Sequence, residues 1–408
     1  MKRVFISGVG AVTPIGIGNR EVFDSLLRGA SGVRPIERFD TSQLDRHLGC
    51  EVQGFNPDDH LTKSERARVG RCGEYALGAA RIALEDAGLK QFADPERVSV
   101  ILGTTMGEAN ILGELLRPWA HQGKEAVSRT LAPRYGTGNL PAQLARALGA
   151  RGAIETLPAA CAAGNYAIGV AAREIRRGRA DVVITGASEV IEMLQYAGFA
   201  RLGAMAQEKV RPFDRARDGI LIGEGAGILI LESEEALVKR GGRPLAEVGA
   251  LGLACDAYHI TRPHPEGAGC KEAMRFAIEG SGLSFDEVDH ISAHGTGTPA
   301  NDVIESKVIN DLFGGRRVPI TSLKSMIGHC MGAASAIEAI ACVETLNRKI
   351  IPPTTNLDNQ DEEGDVDVVT EARTVEKLDV VLNNALAFGG YDASLVLAAP
   401  GKLGELQP

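Results

Sequence analysis

PAACAAGNYAIGVAAREI, residues 158–175, runs into DVVITGASE, residues 181–189, and this pair of segments decides the fold. Apolar residues after Cys161 recur at helical spacing, whereas Val182 to Ile184 is a short β-branched run of the kind found in buried strands. A strand ending in ILGTTMGE, residues 101–108, lies upstream. The second half repeats the order: HISAHGTGT (290–298), SLKSMIGHCMGAASAIEAIA (322–341) and DVVLNNALAFGG (379–390). Each half reads as strand, small-residue loop, helix and strand. The spacing predicts helices over 74–87, 165–177 and 334–347, and strands near 98–102, 182–184, 227–231 and 380–382. A duplicated α/β unit would bring the loops around Cys161 and His329 to one face, each beside a helix N-terminus.

The chain has 408 residues, enough for two domains or one duplicated unit, and its 44% hydrophobic and 24% charged residues are those of a soluble globular protein. A formal charge of -9 argues against a nucleic-acid binder. No apolar run approaches the roughly 20 residues of a membrane span. Residues 1–10 read as a first strand and not a signal peptide, so the cytoplasm is the expected compartment. Seven cysteines, an odd number without CxxC spacing, oppose both a disulfide framework and a zinc site. The tail from Gly401 is expected to fray.

Four reactive side chains sit in runs of Gly, Ala, Ser and Thr: Cys161, His294, Lys324 and His329. Small neighbours expose the backbone and let a substrate approach. A thiol at a helix start is exposed to the positive end of the helix dipole, which favours thiolate and predicts a lowered pKa. A small buried cysteine at a helix packing site would look the same, and a lone loop histidine is often satisfied by backbone. A metal site is disfavoured, because no HxxxH or carboxylate pair accompanies the histidines. Neither GxxxxGK[ST] nor a strand-linked GxGxxG is present, so the glycine-rich loops carry no phosphate signature.

Taken together, GVGAVTPIG (8–16), AACAAG (159–164), RPFDRARDGILIGEGAG (211–227), DAYHIT (256–261), HGTGTPAND (294–302), TSLKSMIGH (321–329), PPTTNLD (352–358) and AFGG (387–390) resemble the chain-elongating β-ketoacyl-acyl carrier protein synthases, relatives of the thiolases. The resemblance covers nearly the whole chain. It implies a thiolase-like duplicated five-layered α-β-α-β-α fold, with one half over 1–240 carrying the nucleophile and the other over 241–408 carrying the histidines and the lysine. It also implies a dimer, no cofactor and no metal.

What the resemblance implies chemically fits the residue types. Cys161 would take an acyl group from acyl carrier protein as a thioester. The amides of Cys161 and Phe388 would form the oxyanion hole. His294 and His329 would act as neutral donors while malonyl-carrier protein loses CO2, and the resulting enolate would attack the acyl-cysteine. Lys324 would support His329, with Glu305 as its carboxylate partner. Leu386, Ala387, Phe388 and Gly389 would form a gate, joined by Asp256 on a second gate loop, and Met106 and Glu108 would bound the acyl pocket. In LTKSERARVGR, Lys63, Arg66, Arg68 and Arg71 would dock the acidic carrier; a solvated helix face is the plainer reading of the same residues.

The chain departs from the family pattern at several points. Leu386-Ala387 stands where phenylalanine-glycine is common, Asp392 where asparagine is usual, and Ala159 where threonine often precedes the nucleophile by two. The alanine is expected to restrict the gate. These departures leave room for a type II polyketide or polyene ketosynthase working as a heterodimer with a homologous chain-length factor, instead of a homodimeric fatty-acid enzyme. A thiolase, which normally adds a second catalytic cysteine, is opposed by the paired histidines. A non-catalytic partner is opposed by Cys161.

Overall fold

Two sets of five strands follow the same winding in the computed structural model, which describes residues 2–136 and 138–404. The first set is β1 (Val4–Thr13), β2 (Val98–Gly103), β3 (Ile154–Leu157), β4 (Val182–Glu189) and β5 (Gly225–Ser233). Its spatial order is β3-β2-β4-β5-β1. The second set is β6 (Ala246–Cys255), β7 (His290–Ser292), β8 (Pro319–Thr321), β9 (Val380–Ala387) and β10 (Tyr391–Ala398), in the order β8-β7-β9-β10-β6. In each set the second strand is parallel to the third and fourth, while the fifth is antiparallel to the fourth and first. Identical order and direction in both halves are the mark of duplication. The sets meet edge to edge through β1 and β6, where Phe5 faces Glu247 and Ile6 faces Ala246.

Helices build the other layers, among them α1 (Arg71–Asp86), α2 (Ala163–Arg176), α3 (Ala268–Gly280), α4 (Pro299–Leu312) and α5 (Ala334–Arg348), and the helix Asn139–Leu148 packs on β2 and β3. α2 and α5 pack on one another and on strands of both sets, forming the middle layer. A helix between two sheets must be apolar all round, and twelve residues of α5, from Ala334 to Leu346, are buried. Their crossing is close because α2 presents Gly164, where a Cβ would lie 2.5 Å from the amide nitrogen of Ala336. The outer layers repeat one another as well. α1 lies so near β1 that a Cβ at Gly10 would come within 2.0 Å of the Ala79 carbonyl, and α3 lies so near β6 that a Cβ at Gly252 would come within 2.0 Å of the Ala273 carbonyl.

The three expected helices agree with α1, α2 and α5 to within a few residues, and the expected strands are extended at their ends by sheet pairing. The tail differs from expectation over residues 401–404. Leu403 is buried, the Gly401 amide donates to Glu247 and Lys402 pairs with Glu287 at 3.0 Å. Residues 405–408 of that expected frayed tail lie outside the described residues. All seven cysteines are free, and six of them are buried. Among the described residues no helix is long and apolar enough to cross a membrane.

Candidate active site

Cys161 lies in a single 3-10 turn, Ala160–Ala162, that leads directly into α2. Ala160 carries the strain of this turn at φ 46°, a left-handed conformation costly for a residue with a Cβ. The bend sets the sulfur at the wall of a small cavity. The backbone amides of Cys161 and Phe388 both favour the charged form of the sulfur.

Phe388 is placed by the turn between β9 and β10. Gly389 and Gly390 take φ 87° and 75° there, and the Gly390 amide closes the turn on the Ala387 carbonyl at 3.0 Å. Ala387 does not strain the turn: it ends β9 in register with Tyr391 and keeps a negative φ. The turn is fastened to the segment after β6, with the Gly389 amide donating to the Ile260 carbonyl at 2.9 Å and the Asp256 amide to the Gly390 carbonyl at 3.0 Å. The Phe388 ring stacks on Phe199 at 5.7 Å.

His294 and His329 come from the loops after β7 and before α5. Their rings meet edge to face with centroids 5.6 Å apart, and both line the Cys161 cavity. Burial, then the nearby Lys324 cation, hold both imidazoles well below the usual histidine range, so both are neutral at physiological pH. A neutral imidazole can donate one N–H and accept at the other nitrogen.

Lys324 does not pair with Glu305. Its fully buried ammonium lies 2.5 Å from Glu338 of α5. Glu305, on α4, instead gathers the backbone amides of His294 and Gly295 at 2.7 and 2.9 Å and the Asn384 side-chain amide at 2.7 Å. The reason is reach: α4 follows the His294 loop and faces it, whereas Lys324 begins a short helix directed at the middle layer. Glu338 carried a signal that the sequence reading missed, as the lone charge in the otherwise apolar run SAIEAIA.

The expected lowering of the Cys161 pKa also fails. Burial pushes the thiol up to about 12, against a smaller downward pull from Lys324 and the two amides. At a site this enclosed, desolvation of the thiolate outweighs the helix end.

The structure brings Cys161, His294, His329, Asp256, Leu386, Ala387, Phe388 and Gly389 to one cavity and leaves other expected residues off it. Met106 and Glu108 do not line it. Glu108 turns instead to the start of α1, where its carboxylate accepts the amides of Gly70 and Gly73 at 2.9 and 2.8 Å. The Met106 amide is held by Glu189 at 3.0 Å. Lys63, Arg66 and Arg71 line a separate open groove. Arg66 is committed to ion pairs with Asp58 and Glu74 at 2.6 and 3.2 Å. His259, Arg262, Thr296 and Asn301 line the Cys161 cavity without having been singled out by sequence. Among the described residues no group of three or more His, Cys, Asp or Glu is placed to hold a metal ion.

Residues 1–236 match the family description "Beta-ketoacyl synthase, N-terminal domain" and residues 245–358 match "Beta-ketoacyl synthase, C-terminal domain". The chain belongs to the β-ketoacyl synthase family. Among relatives of this β-ketoacyl synthase is the 3-oxoacyl-[acyl-carrier-protein] synthase 2 of Synechocystis sp., 37% identical and covering 97% of both chains. The solved ishigamide ketosynthase/chain length factor is 42% identical, with a TM-score of 0.94 over 98% of this chain and 100% of the other. A type II PKS ketosynthase, solved with its acyl-carrier protein and bound to the hexaketide, is 30% identical, with a TM-score of 0.90 over 98% and 99%.

Proposed function

We propose that this β-ketoacyl synthase lengthens a carrier-bound acyl chain by two carbons through decarboxylative condensation with malonyl-acyl carrier protein. The observation that carries the reading is the convergence on one cavity of the Cys161 thiol, the Phe388 turn and two imidazoles kept neutral by burial. In the first half-reaction the Cys161 sulfur attacks the acyl thioester, the C–S bond to the carrier breaks, and the thiol proton ends on the departing carrier thiol. A thiol pushed up to about 12 loses its proton as it attacks, and the neutral imidazoles are the bases at hand. The amides of Cys161 and Phe388 hold the developing oxyanion, each worth on the order of 100 to 1000-fold.

In the second half-reaction the malonyl thioester loses CO2 and its electron pair becomes an enolate. His294 and His329 donate to the enolate oxygen, which neutral donors do without first losing a proton to solvent. The enolate carbon attacks the acyl-cysteine, and the sulfur leaves and regains a proton. Lys324 steadies the charge of the site through its buried pair with Glu338, while Glu305 sets the His294 loop.

The halves 1–240 and 241–408 form the two units of this machine, and the cytoplasm is its compartment. A homologous chain is the partner the surface suits. β3 is one edge of the sheet with Ile154 exposed, and Leu116 and Trp119 lie exposed on the helix Ala109–Gln122. The second reading, a polyketide ketosynthase paired with a chain-length factor, is favoured by the 42% identity to the ishigamide ketosynthase/chain length factor. Lys63, Arg68 and Arg71 would steer the acidic carrier.

The test is Cys161→Gln with malonyl-carrier protein. Decarboxylation is expected to persist while intact mass shows no acyl-enzyme and no product forms; loss of decarboxylation in the folded variant refutes the division of labour between the cysteine and the histidines.

A further inference from the structure

Asp392 stands at the back of the Cys161 cavity on β10, two residues after the turn that carries Phe388, and it is 3% exposed. A second carboxyl, Asp256, lines the same cavity from the segment that follows β6. The two meet at Gly269 in the first turn of α3. A Cβ built there would lie 2.0 Å from Asp392 Oδ2 and 2.7 Å from Asp256 Oδ1, so only glycine leaves room for both oxygens. Their separation is within the roughly 4–6 Å over which like charges decide each other's ionisation.

Donors are divided unequally between the two. Asp256 accepts the amides of His264 at 2.7 Å and Gly269 at 3.1 Å, which stabilise its negative charge. Asp392 Oδ2 is buried and receives no donor from the described residues. The proton of the pair therefore belongs on Asp392, leaving Asp256 as acceptor. Burial first, then the charge of Asp256, raise Asp392 to about 8. The other groups acting on it or acted on by it are Glu305 on α4, Tyr166 on α2 and Cys270 on α3, while His259 and Arg262, on the segment after β6, and His294 and His329 line the same cavity.

The pair lies under the two hydrogen bonds that fasten the Phe388 turn to the segment 256–264. We propose that Asp392 is a positioning residue acting as a carboxylic acid: it donates its proton to Asp256, joins the 256–264 segment to β10, and so keeps the Phe388 amide aimed at the Cys161 sulfur. When Asp392 ionises, the bridging hydrogen bond is replaced by repulsion between two carboxylates. The sign follows from the raised pKa: the junction is held at neutral pH and loosens as pH rises through about 8.

This inference rests on the condensing function only for its kinetic readout. The experiment compares wild type with Asp392→Asn, which keeps the shape and a donor but cannot ionise, in condensation of an acyl-carrier with malonyl-carrier protein from pH 6.5 to 9.5. The ratio of variant to wild-type kcat/KM is expected to rise about tenfold one unit above pH 8, because ionisations common to both cancel. A constant ratio overturns the proposal. Hydrogen exchange over 256–264 and 387–391, corrected for the intrinsic pH dependence and run on wild type, needs no variant to fold. Protection falling through pH 8 supports the acid pair, and pH-independent protection overturns it. If neither protein condenses while wild-type protection still falls, the condensing function fails and the acid pair stands.

Discussion

Replacing Glu338 with alanine strands Lys324, which has no other ion-pair partner among the described residues. Both side chains are within 1% of complete burial, and the ammonium is 2.5 Å from its partner. Removing one member of so enclosed a pair leaves an ion without water or counter-charge, at a cost of about 3–5 kcal/mol. Replacing both, as Lys324→Met with Glu338→Leu, removes the charge problem and is expected to recover most of that loss. Glu305→Ala provides the contrast. It releases three donors around His294, at roughly 1–3 kcal/mol for each donor left unsatisfied, and Lys324→Met would not compensate it. The assay is urea unfolding of the four single variants and the two pairs, with the coupling energy taken from each cycle. A coupling of less than about 1 kcal/mol between Lys324 and Glu338, the value of an exposed pair, or a larger one between Lys324 and Glu305, would refute the reasoning.

Two further outcomes follow from the surface and from the thiol. Changing Lys63 and Arg68 to glutamate is expected to weaken carrier binding by about tenfold at low salt and less at high salt, while small thioesters still acylate Cys161; unchanged binding would remove the docking face. Alkylation of Cys161 by iodoacetamide is expected to keep rising about tenfold per pH unit through pH 9, because burial pushes the thiol up to about 12; a plateau near pH 7 would show that the helix end and Lys324 outweigh burial.

Much of the architecture was legible because it is local and repeated. Alternating apolar runs and alanine-rich helices depend on near neighbours, and both halves of the chain carry them. The loops at Cys161, His294 and His329 were legible for a related reason: a tight bend beside a helix start needs small residues, and these leave a readable run. Glu305 was found but given the wrong partner. Its motif fixes its place on α4, whereas the carboxylate nearest Lys324 depends on how α5 enters the middle layer. The contact of the Glu108 carboxylate with the amides at the start of α1 joins residues more than thirty positions apart, which no local pattern reveals.

The amino-acid sequence by itself determined the duplicated α/β plan, the reactive thiol, the two histidines and the lysine, since each depends on short-range pattern and residue chemistry. Tertiary structure decided which acid neutralises Lys324, how far burial outweighs the helix end at Cys161, and the meeting of Asp256 with Asp392. These outcomes depend on the dielectric around a group and on partners as far apart as residues 256 and 392. Neither property is carried by the order of neighbours along the chain; both arise only when the two halves close around one cavity.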